Sequence, residues 1–244
     1  MSKPFFSIVT ATFNSEKNIK RTINSLLKQN YKNFEWIIID NNSKDNTVKI
    51  IRKNFKKAKI YIGKDSGIYD AWNKGISLAN SSWISFVGAG DSYTHNALKL
   101  YHKAICTQKN KINLISSKIK IVNINNKKIK IIGEQFNKQQ FIYHMNIGHV
   151  GAMHHNSLFN NNKFDTHYKT AADYDFFMKR IKFIKASFIC SITSEMITGG
   201  VSNSYLSLWE KFEIHKKYIG TIHAMKQFTI SFIKLTLRKI IKKY

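Results

Sequence analysis

The chain has 244 residues, 43% of them hydrophobic, and carries 40 Lys+Arg against 14 Asp+Glu, a formal charge of +26. That length and apolar content suffice for one cored domain, or one domain with a tail, and argue against disorder. The charge points to anionic surroundings (nucleic acid, acidic lipid headgroups or phosphorylated substrates), while two cysteines, Cys106 and Cys190, cannot build a disulfide framework and imply a reducing compartment.

Residues 5–12 form an apolar, β-branched run of strand length, followed over 16–29 by a helical pattern with Ile19, Ile23, Leu26 and Leu27 on one face. A second strand over 36–39 ends at Asp40, and Asp45 caps a second helix over 47–55. A short strand at 60–62, a helix over 69–79 with Trp72, Ile76 and Ala79 inward, and a strand at 83–87 complete the alternation. Such β/α alternation with short connections predicts a parallel, doubly wound sheet whose ligand lies beyond the carboxyl ends of the strands. The loops at those ends carry Asn14-Ser15, Asp40-Asn41-Asn42-Ser43 and Gly88-Ala89-Gly90-Asp91.

From Lys111 the pattern changes: 112–116, 118–124 and 128–132 read as strands, the last two a hairpin across Asn125-Asn126. Helix returns over 174–184. The tail, 218–244, reads as one basic amphipathic helix with Ile230, Ile233, Leu237, Ile240 and Tyr244 on a stripe, bordered by Lys226, Lys234, Arg238, Lys239, Lys242 and Lys243 without any acid. That composition suits an anionic membrane surface; the alternative is a helix docked on its own domain with a solvated lysine face. No signal peptide is expected, and no stretch is long and apolar enough to span a bilayer.

Because acids are scarce, their positions inform. Asp occurs only at 40, 45, 65, 70, 91, 165, 173 and 175, mostly where elements end. Turn and cap preferences account for Asp45, Asp165 and Asp70; they account less well for Asp40, Asp91 and the Asp173/Asp175 pair. His149, His154 and His155 fit no standard helical metal spacing and have no cysteine ligands nearby. Trp72 and Trp83 read as core aromatics.

Ser7-Ile8-Val9-Thr10-Ala11-Thr12-Phe13-Asn14, followed by residues 37–47 around Asp40-Asn41-Asn42-Ser43, resembles the opening of family 2 glycosyltransferases with the GT-A fold. Residues 65–75, Asp-Ser-Gly-Ile-Tyr-Asp-Ala-Trp-Asn-Lys-Gly, are similar to a block of a bacterial subgroup that builds surface polysaccharides. Gly88-Ala89-Gly90-Asp91 stands where that family has its DXD-type element, Ala171-Ala172-Asp173-Tyr174-Asp175 resembles its late acidic motif, and Gly199-Gly200-Val201-Ser202 a further subgroup feature.

The resemblance implies a GT-A domain over 1–208, with a nucleotide-binding half to about 110 and an acceptor half after it, and a basic helical tail over 209–244. It implies an inverting transferase that uses a nucleotide-sugar, most often of uridine, and a glycan or lipid-linked acceptor in surface-glycan synthesis on the inner membrane face. The donor would meet Ala11, Phe13, Asp40, Asp65, Gly90 and Asp91. Asp40 would accept from the base, and Asp91, left alone between glycines, would hold Mg²⁺ or Mn²⁺ at the diphosphate. Asp173 would be the catalytic base. His149 and Asp175 would lie on the acceptor side. Two other readings stay open: a basic nucleic-acid-binding protein, although no recognition motif is present, and a degenerate GT-A scaffold lacking acids at 88 and 90.

Overall fold

A computed structural model describes residues 3–198 and 204–241. The chain runs β1 (Phe6–Thr12), α1 (Ile19–Leu27), β2 (Phe34–Asp40), α2 (Thr47–Asn54), β3 (Lys59–Ile62), α3 (Ile68–Leu78), β4 (Trp83–Phe86), β5 (Ser92–Tyr93), α4 (Ala97–Cys106), β6 (Leu114–Val122), β7 (Lys128–Ile132), α5 (Lys138–Phe141), β8 (Ala152–His155), α6 (Ala172–Arg180), β9 (Ala186–Ile197), α7 (Tyr205–Ile219) and α8 (Thr221–Ile241). One sheet in the order β3-β2-β1-β4-β8-β6-β9-β5, with β7 paired to β6, organises the domain.

The first four strands are parallel, as the β/α alternation predicts. Their runs are buried throughout because both faces are covered. Phe6, Ile8, Trp36 and Ile38 pack with Ile19 and Ile23 of α1, Ile51 of α2 and Leu98 of α4. The alternate residues Val9, Ile37 and Ile39 face Trp72 of α3 and Phe177 of α6. Gly75 sets the approach of α3: a Cβ there would lie 2.3 Å from Cγ1 of Val9. Beyond β4 the sheet becomes mixed. β8 runs antiparallel to both β4 and β6, and β9 is parallel to β6. The carboxyl ends of β6 and β9 therefore reach the same edge as those of β1–β4.

Several expectations are revised. The runs at 112–116 and 118–124 are one strand, β6, and the helix expected over 174–184 is α6, ending at Arg180. α1 begins at Ile19 rather than 16 because residues 14–16 are committed to a loop: the Ser15 amide donates to Thr47, and the Glu16 carboxylate accepts from the Asn46 amide. α4, β8 and β9 are not anticipated by the sequence. The tail is a helical hairpin, broken at Gly220, whose φ of +89° favours a residue without Cβ. Phe228 of α8 packs on Trp209 and Phe212 of α7. Of the predicted stripe, Ile230, Ile233 and Leu237 are exposed. The 199–202 motif, residues 242–244 and the side chains of residues 238–241 lie outside the described residues.

Candidate active site

β2, β3 and β4 deliver three acids to one edge, Asp40, Asp65 and Asp91. Thr12 pairs with Asp40 and Asp40 with Ile62 across the parallel ladder, so the loops after β1, β2 and β3 are adjacent. Asn14 and Asn42, both with positive φ, turn the first two of these loops. The loops are then stitched together: the Asn14 amide donates to the Ser43 hydroxyl, the Lys44 amide to the Asn14 carbonyl oxygen of its side chain, and the Glu16 amide to Asp45.

Asp40 is fully buried. Its Oδ2 accepts from the hydroxyls of Thr12 and Ser43, both at 2.7 Å, and its Oδ1 from the Ser43 amide at 2.8 Å. Oδ1 thus keeps one lone pair for a further donor. Phe13 stands at the end of β1 with 58% of its surface exposed, an aromatic face open beside Asp40, while Ala11 is half-buried in the strand below it. Asp65, three residues beyond β3, accepts from the Gly67 amide at 2.9 Å, and its own amide donates to Asn41. Burial, with the charges of Asp70 and Asp40 adding to it, raises the Asp65 pKa. Asp70 is engaged by the Ser66 amide and by Lys74, so it braces the loop that carries Asp65.

Asp91 closes the turn after β4. Thr22 of α1 seals this turn: its hydroxyl donates to the Asp91 carbonyl at 2.7 Å and accepts from the Gly90 amide at 2.9 Å. Gly90 has a φ of +109°. The Asp91 carboxylate folds back over Gly88, where a Cβ would lie 2.8 Å from Oδ2. A side chain at 88 would therefore displace the carboxylate of Asp91, three residues on, from this position. Oδ1 accepts from the Ile197 amide at the end of β9 at 3.2 Å. Burial pushes the Asp91 pKa up to about 6, against the lowering effect of the Ile197 amide and the Arg21 charge.

Among the described residues, no cluster of three or more His, Cys, Asp or Glu side chains surrounds Asp91 or any other point. The donor set still fits one type of magnesium site, in which one carboxylate and substrate phosphates share a hydrated ion. Oδ2 of Asp91 is the oxygen left for it.

Asp173 lies in the first turn of α6. Its Oδ1 accepts from the phenol of Tyr69 at 3.1 Å and from the Tyr174 amide at 2.9 Å. Burial raises its pKa, and the Tyr69 hydrogen bond opposes that rise. Tyr69 starts α3 immediately after the Asp65 loop, so this one bond joins the late acidic motif to the donor edge. The sequence reading left Tyr69 without a role; its place four residues after Asp65, in a block already singled out, was the available signal.

Asp175 points elsewhere. It is fully buried, and its oxygens meet Lys179 at 2.8 Å, Lys217 at 3.1 Å and the Tyr218 hydroxyl at 3.0 Å. It fastens α6 to α7. His149 stacks on Trp72 and Phe86, with ring centroids at 4.8 and 5.2 Å, and both ring nitrogens are buried without a partner. Burial lowers its pKa to about 3, so it is neutral. His154 lies against it in the same aromatic cluster, whereas His155 packs on Trp83.

The profile of glycosyl transferase family 2 matches residues 7–168. A PGL/p-HBAD biosynthesis glycosyltransferase of Mycobacterium tuberculosis is 26% identical over 181 residues, 72% of this chain and 69% of the relative. UDP-Glc:alpha-D-GlcNAc-diphosphoundecaprenol beta-1,3-glucosyltransferase WfgD of Escherichia coli is 24% identical over 245 residues, covering 96% of this chain and 94% of that one. The crystal structure of S. aureus TarS 1-349 in complex with UDP-GlcNAc superposes with a TM-score of 0.71 at 20% identity, over 93% of this chain and 71% of that one. Against a longer TarS chain, the match spans 39% of its length.

Proposed function

Because this chain belongs to glycosyl transferase family 2, we propose that it moves a sugar from a uridine diphosphate sugar to a hydroxyl of a glycan or lipid-linked acceptor, with inversion, in bacterial surface-glycan synthesis. The observation that carries the reading is the Tyr69–Asp173 hydrogen bond, which ties a carboxylate of the late acidic motif to the helix that follows the Asp65 loop. The relatives' names support it: WfgD uses a UDP-sugar and a diphosphoundecaprenol acceptor, and the TarS complex holds UDP-GlcNAc.

In this mechanism Asp40 and Asp65 accept from the nucleoside while Phe13 offers its ring to the base. The ground for Asp40 is geometric: three fixed protein donors orient its carboxylate before any ligand arrives. Gly90 lets the backbone approach the diphosphate. A divalent cation, magnesium or manganese, would be held by Asp91 and would neutralise charge on the leaving diphosphate. Asp173 takes the proton from the acceptor hydroxyl as that oxygen attacks the anomeric carbon. Tyr69 and the Tyr174 amide hold Oδ1, which leaves Oδ2 for the proton, and burial makes the carboxylate a better base than a solvated one.

The positive charge suits work at the cytoplasmic face of an anionic membrane. In α8 the exposed Ile230, Ile233 and Leu237 run beside Lys226 and Lys234, and among the described residues no helix is long and apolar enough to cross a bilayer. Apolar insertion and lysine attraction then act together, at about 1 kcal/mol per lysine near the surface.

The test is a thermal-shift panel of UDP, GDP, CDP and dTDP with and without Mn²⁺, on wild type and Asp91→Ala. A UDP-selective, metal-dependent shift lost in the variant is expected. No shift with any nucleotide would remove the transferase reading.

A further inference from the structure

α7 turns Lys211, Phe212 and His215 to one side, at helical spacing, and α8 answers with Gln227, Phe228 and Ser231. Together with the segment at His144 they enclose a cavity of about 190 Å³. Among the described residues no carboxylate lines it. Lys211 forms no ion pair there, which is unusual for a half-buried lysine. Glu210 and Asp173 act on its charge only from a distance, and the Glu210 oxygens are taken by the amides of Lys169 and Thr170 and the Thr170 hydroxyl. An unpaired cation beside a cavity with histidine, amide and hydroxyl donors calls for an anionic ligand.

Two relationships say which anion. Tyr174, the residue after Asp173, lines the cavity, so the cavity adjoins the turn that carries the carboxylate assigned to the acceptor hydroxyl. On its other side, Phe212 and Phe228 line the cavity and pack on Trp209, which is 53% exposed on the apolar side of the α7–α8 hairpin. The cavity thus lies between a reacting hydroxyl and an exposed apolar surface. In a lipid-linked glycan the phosphate lies between sugar and chain in the same order.

We propose that this cavity is the phosphate subsite for a lipid-linked acceptor: Lys211 holds a phosphate oxygen, Gln227, Ser231 and His144 donate to the others, and the lipid leaves across Trp209. The inference rests on the transferase reading above and adds its acceptor class.

The probe is farnesyl diphosphate, titrated into the full-length chain with UDP saturating, so that the donor site is closed to it. Farnesol, inorganic pyrophosphate and phosphatidylglycerol vesicles are the comparison arms. Wild type is expected to bind farnesyl diphosphate at least tenfold more tightly than farnesol or pyrophosphate. Lys211→Met and Ser231→Asp should each weaken it about tenfold, the scale of one charge-assisted hydrogen bond. Neither should change UDP affinity, and Lys57→Gln, exposed in the turn after α2, should change nothing. The second variant guards against misfolding of the first, with UDP binding as the check on both. Wild type that binds UDP but prefers pyrophosphate, or binds farnesyl diphosphate no better than farnesol, overturns the inference alone. So does vesicle competition that abolishes the Lys211 dependence, since the site then serves bilayer headgroups. Failure to bind UDP removes the parent reading and this one with it.

Discussion

The phenol of Tyr69 reaches across 104 residues of sequence to hold Oδ1 of Asp173 at 3.1 Å. The bond ties the first turn of α3, which follows the Asp65 loop, to the first turn of α6, and it opposes the burial that raises the Asp173 pKa. Tyr69→Phe should therefore lower kcat about tenfold and move the acid limb of kcat/KM to higher pH, with donor KM nearly unchanged. Asp173→Asn should cost about 10²–10⁴-fold in kcat, the range for a lost general base. A Tyr69→Phe profile that loses rate without moving its acid limb would reduce Tyr69 to a packing role.

The two acids of the late motif separate cleanly by readout. Asp175 is buried against Lys179, Lys217 and Tyr218 and touches nothing at the donor edge. Because both lysines are partly solvated, Asp175→Asn should cost about 1–3 kcal/mol rather than the full penalty of a buried broken pair. Denaturant unfolding should show that loss while kcat per folded molecule changes less than for Asp173→Asn.

Asp91 is buried at a cost to stability near neutral pH. Its pKa in the folded protein is about 6, above the 3.8 of a free aspartate. A raised acid contributes stability that is fully present below the unfolded value and lost as pH rises through the folded one. Asp91→Asn, which mimics the protonated group, should be close to wild type in stability at pH 4. It should become more stable by about 2–3 kcal/mol by pH 7, at about 1.4 kcal/mol per unit. Nucleotide-sugar turnover should fall in the same variant. Melting curves from pH 4 to pH 8 give the sign directly.

Restoring an acid at position 88 should fail. A Cβ there meets Oδ2 of Asp91 at 2.8 Å, and a second carboxylate adds like-charge repulsion. Gly88→Asp is expected to displace the Asp91 carboxylate from the Ile197 amide and to cost about 1 kcal/mol, the scale of one hydrogen bond. Weaker rather than stronger Mn²⁺-dependent UDP binding should accompany it; a tighter metal response would show that the turn can reopen.

Membrane association predicts that replacing Ile230, Ile233 and Leu237 together by Ser weakens co-sedimentation with phosphatidylglycerol vesicles while leaving UDP binding intact. Rising salt should weaken the wild-type interaction as well, since part of it is carried by screened lysine charge. Salt-independent binding, or binding unaffected by the triple variant, would locate the contact elsewhere.

Much of the donor half is written locally. Uninterrupted runs such as Trp36-Ile37-Ile38-Ile39 mean strands covered on both faces, and acids placed where such runs stop mark the strand ends, so Asp40 and Asp91 are legible there, while Asp65 enters only with the family resemblance. The second half was harder because its signals are short or mixed. β8 is only four residues, Ala152–His155, and β9 mixes serine with apolar residues in no clean alternation, its burial set by pairing with β6 rather than by its own pattern. The helix expected over 218–244 corresponds to α8, while α7 before the break at Gly220 is not anticipated, its apolar and polar residues following no single stripe.

By itself, then, the sequence determined the layering of the domain and the edge at which its acids gather, because periodicity and turn chemistry are properties of neighbouring residues. Tertiary structure alone decided which acid does what. Asp173 and Asp175 differ by two positions on one helix, and only the elements packed against each, Tyr69 of α3 and Lys217 of α7, separate the carboxylate we propose as the base from the buried brace. The same holds for Lys211, whose missing partner becomes visible only when α7 and α8 close a cavity around it. Charge and burial at a point are sums over residues distant in the chain, and folding is what brings those residues together.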